Sequence, residues 1–280
     1  MEMESAEWTP DIVIRPRRSW AWSDLAELWA YRELVFFMVL REIQGRYRRT
    51  VFGVSWLLIR PALNAAVFSV VFGSVLKVSS DGLPYALFFL AGMAPWSYFN
   101  YAVTRAATSL SDNVHVISKV YFPRLVLPLA SVISGAVDLL ASLVVLLLLM
   151  LVYRTPVSPN IVWLPLFLAA SVAPALAAGL WLAVLTAYLR DMVYGLTILL
   201  QIAMYASPVV YSLYAVPERW RTLYQLNPMV GIIQGTRWAL LGSGDPPGAL
   251  FALSLGLALL ALVGGAVVFQ ATVRSVIDVL

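Results

Sequence analysis

The sequence predicts an all-α membrane protein, and three observations carry that prediction. Of 280 residues, 61% are hydrophobic and only 12% are charged, with a mean hydropathy of +0.83; soluble domains carry about 25% charged residues. The apolar residues fall in uninterrupted runs of about 20 or more, long enough to cross hydrocarbon as helices, and do not alternate as barrel strands do. Hydrocarbon offers backbone polar groups no partners, so each run must satisfy its hydrogen bonds internally.

Six runs read as spans: 54–76, 86–103, 125–152, 161–189, 194–211 and 249–269. The third and fourth are long enough to tilt or protrude. An even number places both termini on one side, and the basic residues choose which. Arg15, Arg17, Arg18, Arg32, Arg41, Arg46, Arg48, Arg49, Arg60, Arg105, Lys119, Arg124, Arg190 and Arg274 fall on the N-terminal side; only Lys77, Arg154, Arg219, Arg221 and Arg237 fall on the other. The positive-inside rule puts both termini in the cytoplasm. Orientation and anionic lipid account for the net charge of +4, so nucleic acid is rejected as a partner. The first 50 residues lack the early apolar core of a cleavable signal. With no cysteine and one histidine, His115, no metal site is expected.

Residues 1–22, with Pro10 and Pro16, form a cytoplasmic arm. Residues 23–50 form an amphipathic interface helix, with Ser23 as its cap. Leu25, Leu28, Trp29 and the apolar run 34–40 mix with Glu27, Arg32, Glu33 and Arg41, too charged to span. This suits a helix with its apolar side in lipid, the alternative being an ordinary surface helix. Residues 51–280 make up the six-helix transmembrane domain. Its cytoplasmic loop carries a short helix near 112–122: Ser111, Asp112 and Asn113 supply the start, and Pro123 stops it near Phe122. The last outside loop, 213–247, holds two pieces too short to span, 217–225 and 229–241, separated by Asn227–Pro228; re-entrant or interfacial helices fit them. Gly242, Gly244, Pro246, Pro247 and Gly248 then turn the chain into the last span.

A phosphate-cradling loop needs glycines before a Lys followed by Ser or Thr. The only lysines, Lys77 and Lys119, are each followed by Val, so any ATP must be used by a partner. An ion-coupled carrier needs acids or histidines inside the bundle. Asp138 alone is deep in a span; beside Ser134 and Gly135 it reads as an interhelical hydrogen-bonding residue rather than a proton site.

Four segments resemble the permease subunit of the ABC-2 polysaccharide exporters, the family that exports O-antigen, capsule and teichoic acid. RYRRTVFGVSW (46–56) is similar to the start of that family's first span. KVYFPRLVLPLA (119–130) resembles its inside loop, and YLRD (188–191) its turn between spans four and five. YASPVVYS (205–212) and LNPMVGIIQGTR (226–237) resemble its fifth span and outside re-entrant segment. The similarity runs from about 34 to 274. Family members commonly carry an apolar residue where this chain has Arg60, before the first-span proline.

The resemblance implies a homodimer bound to two copies of a separate P-loop ATPase, which carries the ATP and magnesium; no cofactor binds this chain itself. It implies a lipid-diphosphate-linked glycan moving from the cytoplasm to the exterior face of the bacterial plasma membrane. Val114, His115, Val116, Ile117, Ser118, Lys119 and Tyr121 would then form the coupling helix against the ATPase. Arg46, Arg48, Arg49 and Arg60 could meet the lipid diphosphate, since guanidinium forks suit phosphate oxygens; orientation and anionic-lipid contact explain the first three equally well. Trp96, Tyr98, Phe99, Tyr101, Tyr205 and Tyr211 could line a sugar path, or pack against lipid and protein. Competing readings are a drug or lipid exporter on the same scaffold and a membrane-embedded glycosyl- or acyltransferase. The latter needs a constellation of polar catalytic residues, and only scattered ones are found.

Overall fold

The computed structural model describes residues 27–47, 51–189 and 191–277, whose regular structure is all helix, with no strand among them. The expected arm, Ser23, Arg48, Arg49 and Arg190 lie outside the described residues. A helical turn at 27–30 continues into α1 (Arg32–Tyr47), Tyr31 N–H donating to Glu27 O and Val35 N–H to Tyr31 O, both at 3.1 Å. A 3-10 turn, Gly53–Ser55, leads into α2 (Trp56–Phe68), which a π-helical stretch, Ser69–Val75, prolongs. Then come α3 (Tyr85–Thr108), a 3-10 turn (Ser111–Asn113), the single-turn α4 (Val114–Ile117) and α5 (Val126–Val152). The 3-10 turn Pro159–Trp163, α6 (Leu164–Ala170) and α7 (Val172–Tyr188) form the next run, followed by α8 (Met192–Tyr205), α9 (Glu218–Gln225), α10 (Pro228–Leu241) and α11 (Ala249–Ile277).

Four stretches are long and apolar enough to cross a membrane: Gly53–Val75, Val126–Val152, Pro159–Tyr188 and Ala249–Val273. They match the first, third, fourth and sixth expected spans. The helix expected second, α3, has the length at 24 residues, but Pro95, Trp96, Ser97, Tyr98, Asn100 and Tyr101 dilute its apolar character. Its surroundings explain why it can: α5, α7, α10 and α2 pack around it, and Leu87, Phe88, Phe89, Leu90 and Ala91 are all fully buried. A helix surrounded by protein needs no lipid-facing stripe. Close approach is made possible by small residues. A Cβ added to Gly179 of α7 would stand 2.6 Å from Ala106 Cβ of α3.

The fifth expected span, 194–211, is helical only as far as Tyr205. Fourteen residues at 1.5 Å each reach about 21 Å, short of about 30 Å of hydrocarbon. Pro208 explains the stop: it has no N–H to donate, and its ring clashes with the carbonyl four residues back. In the loop expected to lie outside, two helices are present, α9 and α10. Asn227 caps α10, accepting from Met229 N–H at 3.0 Å, and Gly242 ends it in the left-handed region at φ +65°.

The six-span order has a direct test, because the chain has no native cysteine to interfere. Single cysteines at Ser111 or His115 are expected to react with an impermeant maleimide only from the cytoplasm, and those at Glu218 or Ser243 only from outside. Labelling of Glu218→Cys only after cytoplasmic access would overturn that order.

Candidate functional site

Functional groups concentrate at the two ends of the bundle. At one end α1 lies against α5 and meets α3 through side chains. Arg46 pairs with Asp138, donates Nη2 to Ser134 O at 3.0 Å, and stands over the Tyr101 ring at 4.1 Å. Asp138 is thus the counter-ion of Arg46, a role in line with the interhelical reading of this acid. One turn earlier, Glu42 accepts from Tyr101 Oη at 2.9 Å, Arg105 Nε at 2.8 Å and Ser131 Oγ at 3.2 Å. Arg105 also donates Nη1 to Asp112 Oδ2 at 3.0 Å, and that carboxylate accepts from Thr108 Oγ1 at 2.9 Å. Arg41 donates to the Asn113 side chain, whose own Nδ2 donates to Ser109 O at 2.8 Å. Arg105 and Asp112 are each 42% exposed, so their pair contributes about 0–1 kcal/mol. A cavity of about 440 Å³ lies among these groups, lined by Glu42, Arg46, Tyr101, Arg105 and Asp112 with their neighbours.

The expected coupling helix is shorter than its sequence signals suggest. It is helical from Ser111 to Asn113 and Val114 to Ile117, and leaves the helix well before Phe122. The reason is packing. Ile117 and Phe122 both bury in one cluster with Leu110, Val126, Leu180 and Phe269. Five residues apart on a helix they would point about 140° away from each other, so the chain must unwind to bury both. The expected cap side chains are used elsewhere: Asp112 serves Arg105, and Asn113 serves Arg41 and Ser109. His115, Ser118, Lys119, Val120 and Tyr121 stay exposed, Val114 and Val116 half-buried, around a recess of about 220 Å³ formed by 117–122 and Arg124.

Arg60 is exposed on α2, its guanidinium 5.9 Å from the Trp56 ring. In α2 only Ala65 is buried. Of the six singled-out aromatics, Trp96 and Tyr98 are core residues and Phe99 is half-buried against Trp96. Tyr101 belongs to the Glu42–Arg46 network. Tyr205 is exposed, and half-buried Tyr211 donates to Tyr205 O at 2.6 Å and shares a hydrogen bond with Tyr224.

At the opposite end, Arg237 of α10 is 4% exposed. It donates Nε to Phe88 O at 3.1 Å, Nη1 to Pro208 O at 2.7 Å and Nη2 to Val209 O at 2.7 Å, with its Cζ 3.6 Å from the Phe88 ring centre. Most of the stretch after α8 is held by side-chain donors, the Ser207 carbonyl accepting instead from Val209 N–H at 2.7 Å. Tyr211 takes Tyr205 O, Asn227 Nδ2 reaches Ala206 O at 3.5 Å, Arg237 takes the Pro208 and Val209 carbonyls, and Tyr85 Oη donates to Val210 O at 2.6 Å. Non-helical backbone among apolar helices is tolerated when its carbonyls are satisfied this way. Beyond it three loops meet. Ser212 donates to Asp81 at 3.1 Å, and Tyr214 donates to Asp245 at 2.6 Å; that hydrogen bond to the carboxylate raises the phenol's pKa. The sequence analysis used Arg237 and Arg105 only for orientation and Asp112 only as part of a helix start, and did not single out Glu42. An arginine inside an otherwise apolar run was the available signal.

These features define a multi-pass helical membrane protein with polar machinery at both ends of its bundle. The chain belongs to the ABC-2 type transporter family, whose model matches residues 33–241. It is similar to the O-antigen export system permease protein RfbA of Myxococcus xanthus, at 31% identity over 74% of this chain and 80% of the relative. An O-antigen export system permease protein RfbA of Klebsiella pneumoniae is 26% identical, over 73% and 79% respectively. The polysialic acid transport protein KpsM of Escherichia coli is 24% identical, over 73% and 80%.

Proposed function

We propose that this chain is the membrane subunit of an ATP-driven exporter that carries a lipid-diphosphate-linked polysaccharide out of the cytoplasm. The observation that carries the reading is similarity, over three-quarters of the chain, to permeases named for O-antigen export. The subunit sits in the bacterial plasma membrane with both termini cytoplasmic. It works as a homodimer with two copies of a separate ATPase, which binds ATP and magnesium; the chain itself is not an enzyme. The exposed docking segment, 114–121, meets the ATPase. Its rigid base supports that role, because Ile117 and Phe122 anchor it in the core while His115, Lys119 and Tyr121 point outward. Arg60 receives the anionic headgroup at the cytoplasmic side. Of the two described candidates it is the more exposed, since Arg46 is engaged with Asp138. Tyr205, open to the surface, is the singled-out aromatic best placed to meet sugar.

Depletion tests the reading. Loss of this protein is expected to leave undecorated glycan-lipid accumulating on the cytoplasmic leaflet, while synthesis continues. A cell depleted of the chain that still displays the glycan at its surface at the normal rate would sink the proposal.

A further inference from the structure

We infer that Arg105 is a positioning residue that ties α1 to the docking segment, so that the two move together during transport. The inference rests on the docking segment being the ATPase contact. It starts from how α1 is held. Among the described residues from 27 to 46, only Val35 is buried, while Trp29, Phe36 and Phe37 face away from the protein. Half-buried Leu28, Tyr31, Leu34, Met38 and Val39 join Val35 on the cluster that contains Ile117 and Phe122, and the C-terminal part of the helix is held by polar groups, Arg41, Glu42 and Arg46. Apolar burial is lost outright when a helix moves, whereas surface polar groups can exchange their partners for water. The cavity of about 440 Å³ beside Glu42 and Arg105 gives water that access.

Two of these ties lead to the docking segment. Arg105 lies between two carboxylates on different elements, with Nε on Glu42 of α1 and Nη1 on Asp112. One residue on, Asn113 accepts from Arg41 of α1. Asp112 and Asn113 form the 3-10 turn that opens directly into α4. Any displacement of α4 by a docked partner pulls on both, and through them on α1. The third tie, Arg46 to Asp138, runs to α5 and bypasses the docking segment, so it serves as the pivot.

The test uses the chain assembled with its ATPase in proteoliposomes containing the lipid-linked glycan. Met38 of α1 packs against the cluster that contains Leu127 of α5. In this cysteine-free sequence, Met38→Cys with Leu127→Cys can be bridged by a reductant-cleavable bifunctional thiol reagent, leaving Glu42, Arg105 and Asp112 in place. Bridging is expected to lower export at least tenfold with the ATPase still bound, and reductant to restore it. Separately, Arg105→Ala is expected to raise the ATP consumed per glycan exported several-fold, and Arg105→Lys, which keeps a cation between Glu42 and Asp112, to recover part of the ratio. A purely structural role would lower hydrolysis and export together. Unchanged export by the bridged protein, or a wild-type ATP-to-export ratio in Arg105→Ala, overturns the inference. Failure of the wild-type chain to bind any ATPase would instead overturn the reading beneath it, and the inference with it.

Discussion

Replacing Arg237 with alanine is expected to be among the most damaging single changes in this chain. The guanidinium is buried and donates to three main-chain carbonyls, those of Phe88, Pro208 and Val209. The Pro208 and Val209 carbonyls lie in non-helical backbone and lose this donor, and each buried polar group left unsatisfied costs about 1–3 kcal/mol; the Phe88 carbonyl, inside α3, keeps its helical hydrogen bond. Two of them, with the packing on Phe88 lost as well, take a large share of a marginal stability. Arg237→Lys keeps a charge but loses the planar fork that serves two adjacent carbonyls at once, so it should fall between wild type and alanine. Gly92→Ala approaches the same failure from outside, because its Cβ would stand 2.5 Å from Arg237 Nη2. The measurement is the midpoint of thermal aggregation in detergent, followed by size-exclusion fluorescence. A midpoint for Arg237→Ala equal to that of wild type would show that the carbonyls find other partners.

Arg60→Gln is expected to reduce export strongly while insertion, dimer assembly and ATPase binding persist. Arginine stays protonated in proteins, so the sequence places a permanent cation in α2 immediately before Pro61. The structure leaves that cation exposed, over Trp56. Under the headgroup proposal, Gln removes a charge-assisted bond worth about 1.5–3 kcal/mol, which is about tenfold to a hundredfold. Lysine, which keeps the charge without the fork, should lose less. Because little of α2 is buried in this chain, neither change should disturb the fold. Wild-type export by Arg60→Leu would reduce Arg60 to a lipid anchor.

Helix placement was largely legible, because it depends on local chemistry. Asn227–Pro228 separates α9 from α10 as the capping and N1 preferences require, and the long apolar runs coincide with the helices that can span. The reading failed where a distant contact overrides a local signal. Pro123 marked a helix end near Phe122, but joint burial of Ile117 and Phe122 ends the helix at Ile117. The run after Tyr205 is apolar enough to read as helix; Pro208 stops it, and carbonyls beyond Tyr205 are satisfied by distant donors at positions 85, 227 and 237. The candidate site was less legible still. Arg46 and Asp138 lie 92 residues apart, and Glu42 and Arg105 lie 63 apart. On paper each reads as a solvated charge beside a membrane. Only the juxtaposition of α1, α3 and α5 turns them into one network.

The grip on residues 205–210 also bears on which positions can drift as such sequences diverge. Apart from the bond from Asn227 Nδ2 to Ser207 Oγ at 3.0 Å, the side-chain donors there take hold of main-chain oxygens, which all twenty residue types possess. The held stretch can therefore change its own lettering, within the limits of its packing, and keep its shape. The burden falls on the holders: Tyr85, Asn227 and Arg237 must each supply a particular donor at a particular reach. A randomised library over 206 and 210 should yield many folded members, and one over 85, 227 and 237 very few. In this part of the molecule the shape is specified by residues other than those that adopt it.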